Sequence, residues 1–383
     1  MTLADLLAND ELRRAEFPVT REQIFLAHAA DCPLPRRVAE AISKYAGECT
    51  TGDQEGFVFP GVLNEGRKLG AQLLNCQPEE VAFVGPTSLA LSFIASGLKF
   101  RKTDNILIYF DDYPSNVYPW TALAEQGVQV RLINTRELGV IRPIDVMGQI
   151  DENTRLVALA SCHFISGYRI DYQAIGKYLR DRGILFCLDA IQTVGSFPTT
   201  VENVDFLAAD AHKWLLGPCG AGLLYVRRSV QERLTPPIYG WNNVRSPNFV
   251  AQEQIVFRNT AQKYEAGTQN LLGIVGLVAA MEMILELGVD NISRELLRQR
   301  SWLVQALQNK NFTVLQANSP PETGSSIVSF FRKDGDMPTL HQKLLEANIT
   351  TSLRADRGGQ KYIRLSPHFY NTEAEFQRLM EFL

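Results

Sequence analysis

Residues 210–218 read Asp-Ala-His-Lys-Trp-Leu-Leu-Gly-Pro, and residues 189–192 read Asp-Ala-Ile-Gln. The second stretch directly follows the apolar run Ile184–Leu188, which is typical of a strand buried on both sides. Lys213 likewise comes soon after the apolar run Val204–Ala209. In open α/β sheets, ligands bind at the carboxyl ends of the strands. The two stretches therefore predict that Asp189 and Lys213 meet at one edge of a parallel sheet.

Short apolar runs alternate with helical stretches along the first 230 residues. The candidate strands are Val81–Val84, Asn105–Phe110, Val128–Ile133, Arg155–Ala160, Ile184–Leu188, Val204–Ala209 and Gly222–Val226. The candidate helices lie near 36–46, 62–75, 87–99, 116–126, 143–150 and 171–182. This alternation predicts an α/β fold, a mostly parallel seven-stranded sheet flanked by helices.

The pattern changes after about residue 230, where a loop-rich stretch begins. Helices are predicted at 270–287, 293–308, 338–347 and from about 372, and strands at 325–331 and 361–365. We therefore expect a large α/β domain at 17–285 and a smaller α+β domain formed by 1–16 and 286–383.

The composition excludes several classes of protein. The 383 residues are 45% hydrophobic and 21% charged with a net charge of −4, so no basic field argues for nucleic acid or an anionic membrane. No apolar run reaches 18 residues and the N-terminus does not resemble a signal peptide. The six cysteines are scattered without metal-like spacing, so we expect reduced thiols, no metal and a cytoplasmic protein.

A buried lysine facing a buried carboxylate suits the cofactor pyridoxal phosphate (PLP). The amine of Lys213 can form a Schiff base with the cofactor aldehyde, and Asp189 can keep the pyridine nitrogen protonated. Gln192 is placed to bind the ring hydroxyl, and His212 to bind the phosphate. Taken singly, Asp189 is also explained as a helix N-cap and His212 as a hydrogen-bonded structural histidine.

Three further segments are suited to the same ligand. Thr87 and Ser88 open a helix, whose free N–H groups favour a phosphate. Tyr113 follows a strand and can stack on a ring, although a surface loop explains it as well. Residues 264–270 read Tyr-Glu-Ala-Gly-Thr-Gln-Asn and offer a second phosphate site. Arg364, on a predicted strand, is suited to grip a substrate carboxylate, or else forms a structural ion pair.

Together these segments resemble the class V aminotransferase family of fold-type I PLP enzymes, which includes cysteine desulfurases, selenocysteine lyases and kynureninases. The most specific parts are Asp189-x-x-Gln192, His212-Lys213-x-x-x-Gly217-Pro and Glu265-x-Gly267-Thr268-x-Asn270. The resemblance covers most of the chain and implies a homodimer with a shared active site.

The resemblance also implies a role for each matching residue. Lys213 is the Schiff-base lysine, Asp189 and Gln192 contact the ring, and Tyr113 stacks on it. Arg364 takes the substrate carboxylate, with Ala30 nearby. The phosphate is held by Thr87, Ser88 and His212 of one subunit and by Gly267 and Thr268 of the other.

The chain departs from the desulfurase pattern at several positions. The stretch 351–360, where desulfurases carry a nucleophilic cysteine, contains none, so transfer of sulfur through a cysteine there is not expected. Asp210 stands where a phosphate-binding serine is common, and its charge would repel phosphate. Phe164 replaces an asparagine near the ring hydroxyl. His163 and Arg169 are expected either to shape the substrate pocket or to be structural.

The sequence thus predicts a PLP-dependent enzyme that acts on an amino acid through an external aldimine at Lys213. Transamination is the expected reaction, and a lyase cleaving a C–S or C–Se bond is the alternative, with racemisation also open. A catalytically inert PLP-fold binding module is the rival of another class. A nucleotide-binding dehydrogenase is excluded, because no G-x-G-x-x-G motif follows a strand.

Overall fold

The structure is a computed structural model, which describes residues 2–58 and 61–383. Its helices are α1 (Leu3–Ala8), α2 (Asp10–Glu16), α3 (Val19–Glu22), α4 (Arg36–Glu48), α5 (Gln54–Val58), α6 (Gly61–Leu74), α7 (Thr87–Gly97), α8 (Tyr118–Thr121), α9 (Pro143–Met147), α10 (Tyr172–Arg180), α11 (Leu271–Leu287), α12 (Val289–Asn309), α13 (Met337–Glu346) and α14 (Glu373–Met380). Its strands are β1 (Ile24–Phe25), β2 (Val81–Phe83), β3 (Asn105–Ile108), β4 (Gln129–Leu132), β5 (Thr154–Ala160), β6 (Leu185–Asp189), β7 (Phe206–Asp210), β8 (Gly222–Val226), β9 (Thr313–Val314), β10 (Val328–Phe331), β11 (Ile349–Thr350), β12 (Ser352–Ala355) and β13 (Lys361–Leu365).

The large sheet has seven strands in the order β2-β8-β7-β6-β5-β3-β4. The neighbouring strands β4, β3, β5, β6 and β7 pair in parallel, and β8 runs antiparallel to both of its neighbours, β7 and β2. The predicted seven-stranded, mostly parallel sheet is therefore confirmed.

Both faces of this sheet are covered. Successive side chains of a strand point to opposite faces, and they belong to two different buried clusters. Along β5, Val157 and Leu159 belong to one buried cluster, and Leu156 and Ala158 to another. The first cluster includes α11, a helix buried on most of its surface that packs against α4 and α6. The second includes the apolar side of α7.

The C-terminal part builds a second sheet of four strands in the order β12-β13-β10-β9, all antiparallel. A separate core cluster formed mainly by residues from 303 onward lies against it. The N-terminal residues Leu3 and Leu6 belong instead to the cluster of the large sheet, although 1–16 is assigned to the small domain by sequence. The domain boundaries stay a prediction.

The helix predicted at 116–126 is wrong as one element. A 3₁₀ turn covers Pro114–Asn116, α8 covers four residues, and a second 3₁₀ segment covers Ala122–Gln126. Pro119 lies in the first turn of α8, where its missing N–H costs nothing, but it prevents a helix from running continuously through this position.

Among the described residues, no single helix is long and apolar enough to cross a membrane. The helices α11 and α12 reach that length and composition only as a pair bent by 78°. No group of three or more His, Cys, Asp or Glu side chains in the described part could hold a metal ion.

Candidate active site

The carboxyl ends of the central strands meet at one cleft. Asp189 is the last residue of β6 and Asp210 the last of β7, and these two strands are parallel neighbours. The backbone N–H of Asp210 donates to Oγ1 of Thr87 over 2.9 Å, which ties the start of α7 to the end of β7. The edge of the sheet that the sequence singled out is therefore where the candidate residues collect.

The cleft and its open mouth together hold about 640 Å³ of space. Nine of the predicted site residues line it: Ala30, Thr87, Ser88, Tyr113, Asp189, Gln192, His212, Lys213 and Arg364. The other two, Gly267 and Thr268, line a separate cleft that also includes residues 220–222 of the same chain. Their predicted contribution from a second subunit stays a prediction.

Asp189 is a buried carboxylate, and the backbone N–H of Ile191 donates to its Oδ1 over 3.1 Å. Burial raises the pKa of Asp189 to about 6, and the neighbouring Lys213 opposes this rise. A carboxylate held in this way is stabilised by a cationic partner in the cleft. The protonated pyridine nitrogen of PLP is such a partner, so this residue fits the cofactor.

Lys213 is buried in the turn that follows β7, and its Nζ lies 5.3 Å from the ring centroid of Tyr113. The turn is closed by a bond from the N–H of Leu216 to the carbonyl of Lys213 over 3.2 Å. Burial lowers the pKa of Lys213 to about 8; Asp189 opposes this shift, and Arg364 adds to it. A much larger fraction of this amine is therefore neutral at physiological pH than for an exposed lysine, and the neutral form is what attack on an aldehyde requires.

The part of the cleft at the start of α7 is suited to a phosphate. Thr87 and Ser88 are the first residues of α7, and the N-cap Pro86 provides no side-chain cap, so the first N–H groups of the helix remain for a ligand. His212 completes this end. Its Nδ1 lies 2.7 Å from Oδ2 of Asp210, which fixes the orientation of the imidazole ring.

Asp210 itself does not line the cleft. Its carboxylate accepts from the backbone N–H groups of Ala211 and Gly220 over 3.0 and 3.1 Å, besides its contact with His212. The carboxylate that stands in place of a serine therefore serves to hold the histidine. The sequence analysis missed this role, although the spacing Asp-x-His was visible.

Gln192 is also held from within the protein. Its Oε1 accepts from Nε1 of Trp214 over 2.8 Å, and its Nε2 donates to the carbonyl of Ala29 over 3.1 Å. These two bonds fix the amide in one orientation and leave one N–H of Nε2 for a ligand. A bond to the cofactor ring hydroxyl stays a prediction.

The wall opposite the large sheet carries Arg364 of β13, which is fully buried. Its Nη1 donates to the carbonyl of Phe164 over 2.7 Å and its Nη2 to Oγ of Ser352 over 3.4 Å. Its Nε has no partner among the described residues. Burial and the nearby Arg354 lower the pKa of Arg364 to about 9. A guanidinium in this position is ready for an anion.

Arg354 of β12 lines the same wall, and sequence reasoning missed it because 351–360 was treated as a loop. The signal was present, since Ser352 and Arg354 alternate like Tyr362 and Arg364 on a predicted strand.

His163 and Arg169 lie outside the cleft lining. The ring nitrogens of His163 contact Ser166 and the carbonyl of Asp111, and Arg169 donates to the carbonyls of Gly324 and Pro321. Of the two readings, the contacts favour the structural one. Phe164 does line the cleft, with its ring edge-on to Tyr113 at 5.4 Å.

The model of the family described as aminotransferase class-V matches residues 24–379. A probable cysteine desulfurase of Methanothermobacter thermautotrophicus is 30% identical, covering 98% of this chain and 98% of that protein.

Two solved structures have a similar fold. The apo structure of a cysteine desulfurase from Thermococcus onnurineus has a TM-score of 0.89 and 24% identity, covering 97% of this chain and 96% of that one. The cystine C–S lyase C-DES in complex with its product, cysteine persulfide, has a TM-score of 0.86 and 21% identity, covering 95% and 98%.

Proposed function

Because the chain belongs to the aminotransferase class-V family, whose members depend on PLP, we propose that it removes the α-proton of an amino acid and completes a transamination. The chain is an enzyme of this class, and its cofactor is PLP. When bound, PLP supplies an electron-accepting ring that stabilises negative charge at the substrate α-carbon. The observation that carries the proposal is the buried Lys213 between Asp189 and Arg364 in one cleft.

Each wall of the cleft has its own task. Arg364 grips the α-carboxylate and so turns the Cα–H bond of the substrate towards the large sheet. Lys213 takes the α-proton at its Nζ, because its pKa of about 8 lets a neutral amine act as base near neutral pH. Asp189 keeps the positive charge on the pyridine nitrogen.

Tyr113 and Phe164 line the cleft with their rings edge-on to each other, and we propose that these apolar surfaces limit the access of water to the reacting groups.

A lyase that cleaves a C–S bond is the second candidate. It is favoured by the relatives named as cysteine desulfurases and by the fold shared with a cystine C–S lyase. No cysteine lines the cleft among the described residues, so sulfur would leave with the product rather than pass to a cysteine of the cleft. Both reactions begin with the same proton removal by Lys213, and the products separate them.

We also propose a homodimer in the cytoplasm. Gly267 and Thr268 lie outside the Lys213 cleft of their own chain, which is expected if they complete the phosphate site of a partner. The six free cysteines in the described part agree with a reducing compartment.

The test uses the purified protein with bound PLP and a panel of L-amino acids. Keto acids without ammonia would support transamination, and pyruvate with ammonia and a sulfur product would support the lyase. Lys213→Ala should abolish both the absorbance at the edge of the visible range and the activity, whereas the exposed Lys177→Ala should change neither. A wild-type protein that binds no PLP, or a Lys213→Ala variant that keeps full activity, would refute the proposal.

A further inference from the structure

We propose that Arg354 is a second anion-binding residue of the cleft, and that the substrate is an amino acid whose side chain carries a negative charge of its own. This inference rests on the proposed function, in which Arg364 binds the α-carboxylate. It names the class of substrate that the cleft selects.

The pairing of β12 with β13 places both arginines on one face of the small sheet. Ser352 lies opposite Arg364, and Arg354 lies opposite Tyr362. Side chains two residues apart in a strand share a face, so Arg354 stands on the face of Ser352 and Arg364. The Cα atoms of such diagonal neighbours are roughly 7–8 Å apart. The two guanidinium groups can therefore contact two anionic groups at the ends of one small molecule.

Neither guanidinium has a carboxylate within 4.0 Å among the described residues. The closest acid along β12, Asp356, accepts instead from the hydroxyl of Tyr362 over 2.7 Å and from the backbone N–H of Gln360 over 2.9 Å. Among the described residues, the guanidinium of Arg354 donates one hydrogen bond, from its Nη1 to the carbonyl of Leu353 over 3.1 Å.

Other buried arginines of the chain are compensated. Arg67 pairs with Glu265 over 2.6 Å, and Arg300 donates to three backbone carbonyls, one of them from Gln316. On the wall formed by β12 and β13, the fully buried Arg364 and the partly buried Arg354 instead repel each other, while the one carboxylate that lines the cleft, Asp189, is next to Lys213. One α-carboxylate offsets only one of the two guanidinium groups, so a second anionic group of the substrate is needed for the other.

Two other roles for Arg354 would give different effects on substrate binding. If both arginines grip the single α-carboxylate, the loss of Arg354 weakens every amino acid equally. If Arg354 is only a solvated surface cation, its loss weakens none. Only a side-chain anion makes the effect depend on the charge of the substrate side chain.

The experiment measures the binding of matched amino acids to the protein with bound PLP, from the change in cofactor absorbance. The pairs are L-aspartate with L-asparagine and L-glutamate with L-glutamine, which differ in charge but hardly in shape. L-cystine is added because its second carboxylate lies further away. We expect wild type to prefer a charged member, and Arg354→Met to weaken that member about tenfold or more while leaving the neutral partner unchanged.

Arg357→Met is the matched control, since Arg357 lies on the same hairpin but outside the cleft lining. It should keep the wild-type preference. Equal loss for both members of each pair, or no loss at all, would overturn the inference.

Failure of the proposed function gives a distinct result: PLP is bound but no amino acid changes its spectrum. In that case, calorimetry with glutarate and its monoamide tests Arg354 alone. A preference for the dianion that disappears in Arg354→Met supports the inference, and equal binding of both compounds overturns it.

Discussion

The wall of the cleft built by the large sheet pairs its polar side chains within the protein, whereas the wall built by β12 and β13 leaves two guanidinium groups without a carboxylate among the described residues. On the first wall, Asp210 orients His212 and Trp214 orients Gln192. On the second, Arg364 has only a carbonyl and a hydroxyl. The first wall is thus organised before any ligand binds, and the second depends on the ligand for its charge balance.

The largest effect is expected from Asp189→Asn, which removes the one carboxylate of the cleft that faces the cofactor ring. Without this charge, kcat should fall roughly 10²–10³-fold, with little change in substrate affinity. The same carboxylate favours the charged form of Lys213, so its removal lowers the pKa of that lysine below about 8.

The rate of PLP uptake by the cofactor-free protein reports this pKa. Uptake needs the neutral amine of Lys213, so the rate of uptake rises with pH. The midpoint of this rise should be at about pH 8 in wild type and at a lower pH in Asp189→Asn. Asp205→Asn, just before β7 at the amino end of the strand, away from Lys213, should keep the wild-type midpoint. An unchanged midpoint in Asp189→Asn would show that Asp189 does not set the pKa of Lys213.

A smaller effect is expected from Arg364→Met, which tests the second wall. Binding of α-carboxylate substrates should weaken by ~2 kcal/mol or more, because the main partner of the carboxylate is lost. The free energy of unfolding should change little, since no buried carboxylate is left unpaired.

Arg67→Met provides the contrast in denaturant titrations. It leaves Glu265 buried without its partner, so it should destabilise the protein strongly. If Arg364→Met lowered the free energy of unfolding as much as Arg67→Met, Arg364 would have a structural role and the wall formed by β12 and β13 would not be a substrate site.

The same division explains how much could be predicted from the sequence. Asp189, Gln192, His212 and Lys213 lie in short contiguous motifs at the ends of apolar strands, and the structure brings them together. Six of the seven strands of the large sheet are buried almost throughout, and strands buried on both faces leave apolar runs that the sequence shows directly. The half-exposed edge strand β4 was predicted as well, although it lacks such a run.

The wall formed by β12 and β13, with Arg354 and Arg364, was harder to predict. Arg354 lies on an edge strand with one exposed end, and its alternation of polar and apolar residues extends over only four positions, too few to identify a strand. The two-residue strands β1, β9 and β11 were missed for a similar reason, since two residues show no periodicity. Placement of Arg354 beside Arg364 depends on the register of a hairpin, which only the fold provides.

The smallest effect is expected from Asp210→Asn, which loosens His212 without touching the ligand. We expect the dissociation constant of PLP to rise roughly fivefold, about 1 kcal/mol, as befits the loss of one charge-assisted hydrogen bond. Fluorescence titration of the cofactor-free protein measures this constant. His212→Gln and the double variant complete a cycle in which the two effects should not add. Additive effects would contradict a role for Asp210 through the histidine.

The two arginines lie ten positions apart on one hairpin, residues 352–365, whose turn is exposed and which contributes nothing to the strands that hold Lys213. Chemistry and selectivity are therefore encoded in separate stretches of the gene. A few substitutions in this hairpin could redirect the enzyme to new amino acids while its reaction is inherited intact, which makes the hairpin the natural segment for recombination or laboratory evolution.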